Sequence, residues 1–169
     1  MTADILERDL HHSPDFKIIG EGPIGDKAEI LKERSDALRQ IGWQLPPTTV
    51  FAQGFFDDFF QRNGLWSNFQ EVELNATTPS RIIRGSLPYD AFITLKQEVS
   101  EGDLPTILRS SGPGDGRGTG LYLSEISEDT IPKVRKALQR VLASYFTESA
   151  VTFRRDAQAG EGFGVIKQP

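Results

Sequence analysis

The sequence contains no cysteine among its 169 residues and only two histidines. The absence of cysteine excludes disulfide scaffolds, thiolate metal sites and cysteine nucleophiles. The chain also lacks a basic excess, because 19 Lys and Arg residues stand against 24 Asp and Glu residues, for a formal net charge of −5. A nucleic-acid-binding protein normally carries a basic excess. We therefore expect no nucleic-acid partner.

Long apolar runs are missing as well. No predominantly apolar run approaches the roughly 18 residues that suggest a membrane span. The first twenty residues include Asp4, Glu7, Arg8 and Asp9 and lack the apolar core of a signal peptide. The expectation is a cytoplasmic protein with no membrane partner.

The length fits one domain, with residues 1–15 as a polar N-terminal tail and residues 16–169 as the folded part. Apolar periodicity predicts strands over 16–20, 48–51, 70–74, 81–84, 105–108, 121–126 and 164–168. It predicts helices over 26–41, 55–63, 88–100, 131–145 and 147–157, with the phenylalanines of the second helix in the core. Alternating strands and helices favour an α+β (mixed α/β) fold.

The start of the first predicted helix is one candidate site. Asp26 and Glu29 have the spacing of a capping box, and Lys27 lies between them after a glycine-rich turn at 22–25. An anion at this point would meet the helix amides, the positive end of the helix dipole and the ammonium group together. The alternative is an ordinary capped helix with Lys27 in solvent.

A second candidate follows the predicted strand that ends near Arg109. Five glycines occupy alternate positions over 112–120, and glycine lets backbone amides approach a phosphate closely. The guanidinium of Arg109 suits phosphate oxygens, and Ser110, Ser111 and Thr119 add hydroxyl groups. The spacing matches neither a P-loop nor a dinucleotide-binding fingerprint. The alternative is a solvated, flexible loop.

The adjacent histidines His11 and His12 could suggest metal binding or phosphoryl acceptance. They lie in the polar tail, and no nearby Asp, Glu or His completes a set of ligands. Solvent exposure is the favoured interpretation, and no metal ligand is assigned in this chain.

Short motifs follow one another in a characteristic order along residues 16–169. They are Gly25-Asp26-Lys27, Pro46-Pro47-Thr48-Thr49-Val50, Asn63-Gly64-Leu65, Ile107-Leu108-Arg109-Ser110-Ser111, Ala143-Ser144-Tyr145-Phe146-Thr147 and Val165-Ile166-Lys167-Gln168. In these motifs and their order, the chain resembles the N-terminal nucleotide-binding region of phosphoenolpyruvate synthase, pyruvate phosphate dikinase and their rifampicin-phosphotransferase relatives.

The resemblance implies the first lobe of an ATP-grasp fold, which holds ATP between two lobes. By position in the motifs, Lys27 and Arg109 would contact the phosphates, with Arg109 as the catalytic residue. Gly120 and Ser124 would be further nucleotide-binding positions. Gln168 would lie in the hinge between the lobes, near the nucleotide.

The resemblance also implies parts beyond this sequence. The family's Mg²⁺ ligands belong to a second lobe past the hinge strand, and a separate domain carries a phosphorylated histidine, which matches neither His11 nor His12. The parent would transfer a phosphoryl group from ATP to that histidine and then to pyruvate or another acceptor, and this part alone would be inactive. The loop at 112–116 departs from the family pattern. A non-catalytic nucleotide-binding, anion-binding or protein-interaction module is therefore the alternative.

Overall fold

The computed structural model describes residues 16–87, 89–99, 105–114, 121–159 and 162–169, and the expected tail at 1–15 lies outside them. The strands are β1 Phe16–Ile19, β2 Thr48–Phe51, β3 Pro105–Ser111, β4 Ser124–Glu128 and β5 Gly164–Gln168. The helices are α1 Asp26–Gln40, α2 Gln53–Arg62, α3 Thr78–Arg84, α4 Tyr89–Glu98, α5 Ile131–Ser144 and α6 Glu148–Asp156, with a 3₁₀ turn at Phe69–Glu71. The prediction of a mixed α+β fold is confirmed.

All five strands form one mixed sheet in the order β1-β2-β5-β3-β4. Strands β1 and β2 are parallel, and the remaining neighbours are antiparallel. The last strand in the sequence therefore lies in the middle of the sheet. Val165 and Ile166 of β5 are fully buried on its two faces, as a strand covered on both faces requires.

Helix α5 and the aromatic residues of α2 cover one face of the sheet. On this side Phe51, Leu108 and Val165 belong to the larger of two buried apolar clusters. The phenylalanines of α2 belong to the same cluster, as predicted: they are Phe55, Phe56, Phe59 and Phe60. Ring contacts extend this cluster through Phe69 to the end of α5, where the centroids of Phe69 and Phe146 are 5.1 Å apart. This side is a packed core.

Helix α1 covers only part of the opposite face. Ala28 packs in the smaller apolar cluster with Val50 of β2 and Ile166 of β5. Farther along the sheet, on β4, Ile126 is 75% exposed. Among the described residues, this face is thus open beside α1 at Ile126 of β4.

Two predicted strands are wrong. Residues 70–74 contain the end of the 3₁₀ turn and irregular chain, and residues 81–84 belong to α3. Pro79 stands in the first turn of α3, where a missing amide costs little. The buried Gln139 of α5 donates from Nε2 to the carbonyl oxygens of Ile82 and Gly85 at 3.1 and 2.6 Å. Packing against α5 therefore fixes a short helix whose sequence is rich in isoleucine.

Within the described residues, the helices are all too short or too polar to span a bilayer.

Candidate anion-binding face

The N-terminus of α1 lies directly against the end of β3. Gly25 precedes the helix with a φ of +79°, and a Cβ atom there would lie 1.8 Å from the carbonyl oxygen of Ser111. The amide of Ala28 donates to the hydroxyl of Ser111 at 2.9 Å. Only glycine permits both this φ and this approach, so the turn at 22–25 joins the two elements.

Lys27 reaches the strand next to Arg109. Its side chain is half-buried, and Nζ donates to the carbonyl oxygen of Ser110 at 3.2 Å. The ammonium group therefore lies at the backbone of the residue that follows Arg109. Lys27 is not the solvent-exposed lysine of an ordinary capped helix.

Arg109 lies on the sheet face that α1 covers in part. It is paired with Ile166 of β5 and with Ser124 of β4, and directly opposed residues of antiparallel strands share a face. Ile166 packs against α1 in the smaller apolar cluster, so Arg109 and Ser124 are on the same side as α1. Arg109 is exposed and makes no hydrogen bond or ion pair with any described residue.

Gln168 lies on this face as well, two residues beyond Ile166 and paired with Ile107. Its Nε2 donates to Oγ1 of Thr48 at 2.9 Å. The structure therefore brings Lys27, Arg109, Ser124 and Gln168 to one face, which we name the cation face. Gly120, the remaining predicted position, lies outside the described residues.

Ser110 and Ser111 do not serve as the expected hydroxyl donors to an anion. Both are buried, with 1% and 0% of their surface exposed. Ser111 uses its hydroxyl to accept from α1. The two hydroxyls are therefore enclosed and cannot reach an anion on the surface, and the hydroxyl of Ser111 instead attaches the helix to the strand. Thr119 lies outside the described residues.

Asp26 does not cap α1. The N-cap residue is Gly25, which has no side chain to cap with. The carboxylate of Asp26 instead accepts from the amide of Gly114 at 3.0 Å. A carboxylate thus occupies one of the glycine amides that the loop was expected to offer to a phosphate. The amide of Ala28, in the first turn of α1, is occupied by Ser111 in the same way.

Two isoleucines lie beside the cations. Ile107 and Ile126 are directly paired across β3 and β4, on the same face as Arg109. Two residues along a strand correspond to about 6.6 Å. Ile107 is therefore the next side chain to Arg109 on this face of β3. Sequence reasoning missed this pair, because the register of β4 on β3 cannot be read from either strand alone.

Lys167 does not add a third cation to this face. It is paired with Leu108, so it points to the α5 side of the sheet. There it forms a buried ion pair with Asp129, with Nζ and Oδ1 3.1 Å apart. Sequence analysis singled out neither residue as a partner of the other.

No group of three or more His, Asp or Glu residues within the described ranges could hold a metal ion. The sequence matches no protein-family model, and it has no significant match among curated proteins. Function is therefore inferred from the geometry of the cation face and from the sequence motifs.

Proposed function

We propose that this chain binds ATP on the cation face, as the first lobe of an ATP-grasp phosphotransferase similar to phosphoenolpyruvate synthase and pyruvate phosphate dikinase. One observation carries the proposal. Lys27 comes from the first helix and Arg109 from the third strand, yet the Lys27 ammonium lies 3.2 Å from the backbone of the residue next to Arg109, on the face that Arg109 shares.

The two cations suit different parts of a triphosphate. The exposed Arg109 keeps its guanidinium fork available for two phosphate oxygens. Lys27 supplies a compact charge, and the hydrogen bond to the Ser110 carbonyl oxygen fixes the position of its ammonium group. Ser124 and Gln168 offer further hydrogen bonds from the same face. In such a site Arg109 would stabilise the charge that develops on the transferred phosphoryl group.

Magnesium does not fit the described residues, because they contain no group of acidic or histidine side chains able to hold it. No step is therefore assigned to the metal here. We place the Mg²⁺ ligands on a second lobe of a longer parent protein, together with the phosphohistidine domain. The acceptor of the phosphoryl group stays open between pyruvate and another substrate.

The open part of the cation face supports a second lobe. Ile126 on β4 is 75% exposed and is paired on this face with the half-buried Ile107 of β3. We assign these isoleucines, which lie beside Arg109 on the same face, to the surface that a second lobe would contact. A second lobe would cover these isoleucines and enclose the nucleotide between the two units.

Calorimetric titration of the chain with ATP tests the role of the two cations. We expect weak binding, near the millimolar range because only one lobe is present. Lys27→Gln and Arg109→Gln should each weaken it about tenfold, as expected for a lost charge-assisted hydrogen bond. Lys133→Gln on α5 and Arg84→Gln on α3 remove the same charges from exposed positions on the opposite side of the sheet.

The two control variants should bind ATP within about twofold of the wild type, because exposed charges far from the site are largely screened. Circular dichroism confirms that each variant is folded. Equal affinities for all five proteins would contradict the proposal.

A non-catalytic module is the second candidate. Two observations favour it: Asp26 occupies the amide of Gly114, and the described residues provide no metal-binding group. Reading the gene beyond codon 169 separates the candidates. An open reading frame that continues into acidic metal ligands and a histidine domain supports the enzyme, whereas a stop codon supports the module.

A further inference from the structure

A hollow of about 170 Å³ lies on the other side of the sheet from the cation face, between α2, the 3₁₀ turn and α6. Its walls combine aromatic and aliphatic side chains with polar ones, and the apolar surface is only slightly larger than the polar surface. The lining residues include Gln53, Phe69, Tyr145, Phe146 and Arg154. No described lining residue carries a negative charge.

Arg154 supplies the positive charge of this hollow. Its Nη1 donates to the carbonyl oxygen of Tyr145 at 2.6 Å, and its Cζ lies 3.6 Å from the centre of the Tyr145 ring. Stacking fixes the plane of the guanidinium and leaves donors at its edge, because the group has five N–H donors in all. No described carboxylate pairs with Arg154. The guanidinium is thus held in place without an acidic partner among the described residues.

Gln53 supplies a second, independent polar group. It is the first residue of α2 and is only 6% exposed, yet its side-chain amide makes no hydrogen bond to any described residue. The amide atoms keep some accessible surface, so they can reach a ligand in the hollow. Since Gln53 lines the hollow, a ligand there would provide the missing hydrogen bonds.

Size and charge limit the ligand. A cavity of about 150 Å³ accommodates one benzene molecule, so this hollow has room for one ring or a branched apolar group of similar size. One guanidinium balances one negative charge, and the aromatic walls of Phe69, Tyr145 and Phe146 would leave further charge unpaired. A carboxylate matches the guanidinium fork, whereas a phosphate dianion would bring one charge too many.

We infer that this hollow binds a small monocarboxylate with one aromatic or branched apolar group, held by Arg154 at the carboxylate, by Gln53 at a neighbouring oxygen and by the three rings at the apolar end. This site is separate from the proposed ATP-binding face and does not depend on it.

The test uses phenylacetate as the probe and phenylacetamide as its uncharged analogue. Binding of each is measured from the ¹H–¹⁵N chemical shifts of the whole chain. Phenylacetate should bind saturably with a Kd of about a millimolar, as expected for so few atoms. Phenylacetamide should bind at least about tenfold more weakly, because it cannot pair with a guanidinium. The shifts should concentrate on α6, the start of α2 and the 3₁₀ turn.

Three variants locate the site. Arg154→Lys keeps the charge but removes the fork, and should weaken phenylacetate binding about tenfold. Gln53→Leu keeps the volume and should weaken it about threefold, the loss of one neutral hydrogen bond. Arg155→Lys is the matched control: that side chain is 71% exposed and pairs with Asp156, so the affinity should stay unchanged.

Equal affinities for phenylacetate and phenylacetamide would overturn the inference. It would also be overturned if neither Gln53→Leu nor a folded Arg154→Lys weakened the binding of phenylacetate. The acid–amide comparison and Gln53→Leu decide the question even where Arg154→Lys does not fold. ATP titrated into the same sample tests the cation face separately, so failure of one site is distinguishable from failure of the other.

Discussion

Asp26 shows how one side chain can change the properties of an anion-binding face. Its carboxylate follows Gly25, precedes Lys27 and accepts from Gly114 at 3.0 Å. It therefore ties the start of the glycine-rich stretch to α1, and it also places a negative charge where a phosphate is proposed to bind.

Asp26→Asn is expected to tighten ATP binding. Asparagine keeps an oxygen that can accept from Gly114 and removes the charge that repels phosphate. A unit charge near a phosphate at the protein surface corresponds to roughly two- to fivefold in affinity at low salt. Calorimetry at low and high salt measures this effect. A gain that does not diminish with salt would contradict an electrostatic origin.

Asp57 gives a test that depends on pH. It lies on α2 and accepts from the amide of Phe69 at 2.7 Å. Burial raises the pKa of Asp57 above its usual range, and the Phe69 hydrogen bond opposes that change. A raised folded-state pKa means a contribution to stability that is present at low pH and is lost as the pH rises through that pKa.

Asp57→Asn keeps the hydrogen-bond acceptor without the charge. The stability of the wild type relative to this variant should therefore fall between about pH 3 and about pH 7. Urea denaturation at both pH values measures the difference. Asp58→Asn, which removes an exposed carboxylate paired with Arg62, should give no gain in stability at neutral pH. A difference for Asp57→Asn that is independent of pH would contradict the burial of this carboxyl.

At the scale of elements, the site depends on how closely α1 approaches β3. Gly25 and Gly42 share a φ of +79°, but only Gly25 has backbone within reach of a Cβ atom, whereas nothing lies within 4 Å at Gly42. The two glycines therefore separate the cost of the backbone conformation from the cost of the contact.

Gly42→Ala should lower the free energy of unfolding by about 1–2 kcal/mol, because alanine disfavours the positive φ. Gly25→Ala should cost several kcal/mol more, because Ser111 and α1 must move apart, and it should also weaken ATP binding. Chemical denaturation and an ATP titration of both variants check this. Equal losses of stability in the two variants would show that the close approach is unimportant.

Elements that local sequence determines could be predicted, whereas elements that depend on contacts with distant segments could not. The pattern of Val134, Leu138 and Val141 predicts α5 correctly, since one helix face alone determines it. Residues 81–84 look like a strand, and become a helix because of Gln139 on a distant segment. Lys27 and Arg109 could be singled out from their glycine and serine neighbours. The apolar pair beside them could not, because it arises from strand register.

At the scale of the whole molecule, a buried ion pair fixes the central strand to the segment that precedes α5. Lys167 and Asp129 are 8% and 4% exposed, and their charged atoms are 3.1 Å apart. Removing one partner leaves a buried charge uncompensated. The position of β5 in the sheet therefore depends on both residues.

Lys167→Met should destabilise the protein by about 3–5 kcal/mol. The double variant Lys167→Met with Asp129→Leu should lose much less stability than Lys167→Met alone, because it leaves no buried charge. A double-mutant cycle by urea denaturation measures the coupling. Additive losses would show that the two charges do not stabilise each other.

The most direct measurement of the central claim is an ATP titration of the ¹⁵N-labelled chain, with the perturbed amides assigned. If ATP binds on the cation face, the largest shifts will fall together on 25–28 at the start of α1, on 109–111 at the end of β3 and on Gln168. Shifts confined to other surfaces, or a chain whose amides do not respond to ATP, would contradict nucleotide binding on the cation face.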